Sequence, residues 1–176
     1  MANKRILVAG IGNIFLGDDA FGCEVAQRLF KRAMPQGVRV VDFGIRGFDL
    51  AYALLENYEL SILIDATPRG GAPGTLYVIE VNPNLDELEA DELSLDTHAM
   101  NPLRVLGLVK SMGGQLKRIL IVGCEPSETS EQDEIRLSES VWASLDKAVE
   151  LVESLIARHL DHCAVSTAQM QPVALT

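Results

Sequence analysis

Short β-branched runs alternate with helical periodicities along most of this 176-residue chain. Residues 5–8 read as a first strand. Residues 20–31 form a helix with Phe21, Val25 and Leu29 at four-residue spacing, and Pro35-Gln36-Gly37 ends the connection that follows. Residues 38–41 make a strand, 48–55 a helix and 60–64 a strand, an order that gives βαβ units and a mainly parallel sheet. Residues 75–81 form a further strand, reached through Pro68-Arg69-Gly70-Gly71-Ala72-Pro73-Gly74. That link is too short for a crossover helix, so this strand is expected to run antiparallel to its predecessor. A helix over 102–112 carries Leu103, Leu106 and Val109 on one face and stops at Gly113-Gly114. Residues 118–122 are the last strand, and 137–159 the longest helix, with Val141, Leu145, Val149, Val152 and Ile156 at helical spacing.

These elements predict an α/β fold: a three-layer sandwich around a twisted, mainly parallel five-stranded sheet with one antiparallel strand and helices on both faces. Residues 1–160 read as one domain, and 161–176, where periodicity fades, as a flexible C-terminal tail. Residues 82–97 hold Asp86, Glu87, Glu89, Asp91, Glu92 and Asp96 without clear periodicity. They read as a solvated loop or, given their length, as a lid or docking surface.

Composition narrows the partners. A 48% hydrophobic content suffices for one substantial core. The net charge of −10 and pI ≈ 4.7 argue against a nucleic-acid partner, which needs clustered Lys and Arg. No apolar run is long enough for a membrane span, and the start shows no signal-peptide cleavage site, so a soluble cytoplasmic protein is expected. Cys23, Cys124 and Cys163 are odd in number and widely spaced, which suits reduced thiols.

The chemistry concentrates after the first strand, in Gly10-Ile11-Gly12-Asn13-Ile14-Phe15-Leu16-Gly17-Asp18-Asp19. A strand running into G-x-G suggests a dinucleotide site, but Phe15 occupies the place of the third glycine. Asp18 and Asp19 would also repel a phosphate. The loop suits a cation. In a doubly wound sheet the ligand crevice lies at the carboxyl ends of the parallel strands, where Asp18 and Asp19, Asp42 and Asp65 all emerge. Each alone could cap a helix or close a turn; together, unpaired carboxylates call for a proton or a cation. His98, just before the helix at Pro102, adds an imidazole, giving a donor set for zinc, nickel or a similar ion. His159, His162 and Cys163 have metal-like spacing but fall near the tail. Cys124 reads as a buried structural thiol rather than a nucleophile, and neither a Ser/His/Asp triad nor G-x-S-x-G is present.

The same residues resemble the hydrogenase maturation endopeptidases, which trim the C-terminal extension of the nickel-iron hydrogenase large subunit. The resemblance rests on Gly10, Gly12, Asn13, Asp18, Asp19 and Gly22, on Leu63-Ile64-Asp65-Ala66, and on Pro73-Gly74-Thr75. It continues through Thr97-His98 before Leu103-Arg104-Val105-Leu106 and through Val122-Gly123-Cys124-Glu125-Pro126, spanning roughly residues 5–126. It implies that Asp19, Asp65 and His98 are both the catalytic and the metal-contacting residues of a nickel-dependent endopeptidase, aspartic-type or metal-dependent. It further implies that nickel arrives with a hydrogenase large-subunit precursor, that the free enzyme has room for another divalent metal, and that the protein is a monomer. Asp18 then becomes support for Asp19. Asp42-Phe43-Gly44-Ile45 and Ala20-Phe21 depart from the family pattern, which leaves the role of Asp42 open. Two alternatives stand beside the protease: a non-catalytic nickel-sensing or chaperone module, and a nucleotide-binding domain with Asp42 on a ribose.

Overall fold

The computed structural model describes residues 6–82, 101–127 and 135–168, the last six as backbone alone. Two strands are buried almost throughout, β1 (Ile6–Ile11) and β3 (Leu60–Ala66). Strands covered on both faces read as continuous apolar runs, and these two lie inside the sheet order β2-β1-β3-β5-β4. β2 (Val38–Gly44) and β5 (Arg118–Cys124) pair parallel to them, while β4 (Leu76–Val81) pairs antiparallel with β5. The short link after β3 does reverse the chain as the sequence implies. It leaves a gap between β3 and β4, however, and β5 fills it.

Alternate residues of each strand feed opposite layers. Ile6 and Val8 of β1 join Ile62 and Ile64 of β3 and Val122 of β5 beneath α1 (Phe21–Phe30) and α4 (Glu139–Ala168). Leu7, Ala9 and Ile11 join Leu63 and Ile121 on the other face, against α2 (Gly47–Leu54) and α3 (Pro102–Ser111). The three layers are thus two helices, five strands and two helices. α3 starts where the sequence places it, because Asn101 accepts the Leu103 N–H at 2.9 Å and Pro102 occupies the first turn, whose N–H would be unpaired in any case.

The long C-terminal helix departs from expectation. It runs on to Ala168, beyond the residues 137–159 expected from periodicity. Apolar periodicity reports only a buried face; helical backbone also continues through residues such as Ala164 and Ala168, whose intrinsic propensity is high.

α1 sits unusually close to the sheet. A Cβ added at Gly22 would fall 2.0 Å from the Ile64 carbonyl oxygen and 2.3 Å from that of Ile11, and one at Gly10 would fall 2.4 Å from the Gly22 carbonyl oxygen. Backbone atoms cannot yield as a flexible side chain does. Gly22→Ala is therefore expected to lower stability by about 3 kcal/mol or more in urea unfolding, and an unchanged midpoint would contradict this packing.

Candidate active site

The turn after β1 is built by hydrogen bonds internal to the loop. Gly12 has φ +136°, and a Cβ there would lie 1.8 Å from the Asp19 carbonyl oxygen, so only glycine lets the chain fold back this tightly. Asn13 accepts the Phe15 N–H on its Oδ1 at 3.0 Å, and its backbone carbonyl accepts the Leu16 N–H at 3.1 Å. The Leu16 carbonyl then accepts the Asp19 N–H at 3.0 Å, opening a 3-10 turn over Gly17–Ala20. The Asn13 N–H donates to Asp19 Oδ2 at 2.6 Å. Asp19 therefore does not cap α1; its carboxylate turns back across the loop.

Asp65 is the penultimate residue of β3, in register with Gly123 of β5, and only 8% of it is exposed. The 3-10 turn carrying Asp19 packs on β3. Burial raises the proton affinity of the Asp65 carboxyl well above the ordinary range, the charge of Asp19 raises it further, and the Ala66 N–H offsets part of this. Asp19 is also raised, by burial, against the opposing effect of the Asn13 N–H. Two desolvated carboxyls thus share the carboxyl edge of the sheet, Asp19 on the turn after β1 and Asp65 at the end of β3.

Their neighbours are engaged elsewhere. Asp18 is 1% exposed and accepts three hydrogen bonds, from Ser138 N–H at 2.6 Å, Ser127 N–H at 2.8 Å and Ser138 Oγ at 2.9 Å. It fastens the 3-10 turn to the end of β5 and the start of α4, the support inferred for it from sequence. Asp42 closes its own turn by accepting the Gly44 N–H at 3.0 Å and also takes Gln27 Nε2 at 3.1 Å. Beneath them Cys23 is buried, its Sγ donating to the Gly12 carbonyl at 3.3 Å. Burial and the nearby Asp42, Asp19 and Asp65 raise its thiol pKa far above the ordinary value, so it serves as a neutral floor. Cys124 is likewise buried, beside Ser144 Oγ at 3.4 Å, with its proton affinity raised by burial.

Glu125 escaped the sequence reading as a site residue. It accepts the Arg69 N–H on both oxygens at 3.0 and 2.9 Å, the Gly70 N–H at 3.1 Å and the Tyr77 hydroxyl at 2.7 Å. Partial desolvation acts against ionisation, but these donors outweigh it and hold the carboxyl below its ordinary value. The loop leaving β3 is thereby pinned to the end of β5. Gly70 and Gly71 signal a tight turn in the sequence, but nothing there names the distant acceptor.

His98 lies outside the described residues. Among the described residues no three His, Cys, Asp or Glu side chains gather with metal-site spacing. His159 and His162 sit on α4, about 30 Å along the helix from Ser138 and the cleft.

This arrangement has relatives. The family model HycI, described as hydrogenase maturation protease, matches residues 23–155. The chain belongs to the hydrogenase maturation protease family. A Methanocaldococcus jannaschii relative is 35% identical over 159 residues, which is 86% of this chain and 96% of that protein. The hydrogenase 2 maturation protease of Escherichia coli is 30% identical, covering 84% of this chain and 88% of its own. The solved structure of the hydrogenase maturating endopeptidase HybD from E. coli superposes with a TM-score of 0.70 at 29% identity, over 88% of this chain and 93% of that one. This hydrogenase maturation protease is accordingly a hydrolase of peptide bonds, and the nucleotide-binding and non-catalytic alternatives are not favoured. Among its described residues no helix is long and apolar enough to cross a membrane.

The buried Asp65 has a consequence for stability. Its folded-state proton affinity exceeds that of the unfolded chain, so the folded protein holds more protons between the two values and loses stability as pH rises through that window. Asp65→Asn removes the charge. Its melting temperature is expected to exceed that of the wild type at pH 7.5, by roughly 2–4 °C for each kcal/mol relieved, and to lose this advantage toward pH 4. An advantage that grows in acid would contradict the assignment.

Proposed function

We propose that this protease removes the C-terminal extension from a nickel-iron hydrogenase large-subunit precursor after nickel insertion, with Asp19, Asp65 and His98 contacting the nickel that the substrate carries. The observation supporting this reading most directly is the pair of desolvated carboxyls, Asp19 and Asp65, with no cationic partner among the described residues, at the sheet edge where this fold class binds ligands. Such a pair holds a proton when alone and can release it when a divalent ion neutralises the site. Two carboxylate side chains make an incomplete set of metal-binding residues, which suits an ion already held by the partner protein. Asn101, three residues after His98, caps α3, the helix that leads back to the start of β5 and so begins at the carboxyl edge of the sheet.

When bound, nickel supplies Lewis acidity toward the scissile carbonyl or toward a water. The chain's own part is to orient that ion, with Asp19 fixed by the Asn13 N–H and Asp65 held at the end of β3, and to keep a carboxyl able to accept and return a proton. Glu125 and Asp18 hold the two flanking loops still while this happens.

The test is trimming of a nickel-loaded precursor, followed by intact mass. Asp65→Asn and His98→Ala are each expected to slow it about 100-fold or more while retaining the wild-type circular dichroism spectrum. Two folded variants that trim at the wild-type rate would overturn the assignment.

A further inference from the structure

Large apolar side chains are unevenly exposed on this molecule. Among the described residues, six of the eleven exposed large hydrophobics lie in two short stretches: Ile14, Phe15 and Leu16 after β1, and Ile45, Phe48 and Tyr52 after β2. Phe15 is 66% exposed and Phe48 71%. The strands are adjacent and parallel, so both stretches leave the same edge of the sheet. They are tied together at their roots, where the Gly12 N–H donates to the Gly44 carbonyl at 3.1 Å. The first stretch is continuous with the cleft, because Asn13 before it and Asp19 after it are hydrogen-bonded to each other.

Neither stretch is a loose loop. Asn13 holds Phe15 and Leu16 through its side-chain and backbone oxygens. Across from it, Arg46 spends its guanidinium on its own turn: Nε donates to the Phe43 carbonyl at 3.0 Å and Nη2 to that of Asp42. Phe48 and Tyr52 are four residues apart on α2 and so share its outer face, opposite the buried Leu50, Ala51 and Leu54. Rigid aromatic anchors held in place before binding lose little entropy when covered, the property that makes a surface a good docking site. A concentrated apolar patch of this kind marks an interaction surface rather than ordinary scatter.

We infer that this rim, resting on the proposed function, is the docking surface for an apolar segment of the precursor polypeptide beside its cleavage site. The choice of occupant follows from continuity: the rim shares the Gly12–Asp19 loop with the carboxyl pair, so a polypeptide crossing Asp19 and Asp65 passes over it. The net charge of −10 disfavours an acidic partner surface, and what this rim presents is large apolar side chains. Covering those side chains with an apolar segment removes them from water, which favours binding there.

The experiment measures steady-state trimming of a nickel-loaded large-subunit precursor by the wild type, by the double variant Phe15→Ser/Phe48→Ser, and by Phe30→Ser. Phe30 is 76% exposed at the far end of α1 and serves as the control for loss of a surface aromatic. The double variant is expected to melt with the wild type and to show a KM raised about tenfold or more, with kcat falling by a smaller factor; Phe30→Ser keeps the wild-type KM. An unchanged KM in the double variant, with the wild type trimming normally, overturns the rim and leaves the protease reading intact. A wild type that does not trim the precursor overturns both. Light scattering covers the remaining occupant: self-association of the wild type that the double variant loses, with KM unchanged, would assign the patch to a second copy and overturn the proposal.

Discussion

The site depends on how closely α1 approaches the sheet. Gly10 and Gly22 bring helix backbone against strand backbone where no side chain fits, so the start of α1 comes to rest over the ends of β1 and β3. The 3-10 turn before α1 is carried with it and delivers Asp19 next to Asp65. Desolvation then follows from packing: the helix excludes water that would otherwise stabilise two nearby negative charges. A larger residue at either glycine would lift the helix and rehydrate the pair.

The acidic residues at this edge divide into two kinds by what they touch. Asp18 and Glu125 are buried but richly supplied with donors, two or more of them backbone N–H groups, and so are tied up in holding the walls. Among the described residues, Asp19 and Asp65 are each helped by one backbone N–H, and the charge of Asp19 bears on Asp65. A fully satisfied carboxylate is a fastener; an under-satisfied pair keeps capacity for a proton or a cation. Adjacent residues Asp18 and Asp19 thus do opposite work because a 3-10 turn points consecutive side chains in different directions.

Much of this was legible in the chain. The βαβ order, the five strands and the reversal after β3 follow from apolar runs and from a link too short for a helix, and acids at three strand ends follow from topology alone. What stayed hidden depends on contacts between distant segments. Insertion of β5 between β3 and β4 is a pairing choice that periodicity does not encode. Glu125 reaches back more than fifty residues to Arg69 and Gly70, and Asp18 more than a hundred to Ser127 and Ser138. The helix beyond Asp161 continues without the apolar stripe that marks a packed face. His98 belongs to the account by sequence and family resemblance, not by described geometry.

The central claim is that Asp19 and Asp65 await an ion that comes with the substrate. It is tested most directly by giving the wild-type protein two batches of one large-subunit precursor, nickel-loaded and nickel-free, and weighing the products by intact mass spectrometry. The account predicts that the nickel-loaded precursor alone loses its C-terminal extension. Equal trimming of both batches would contradict it.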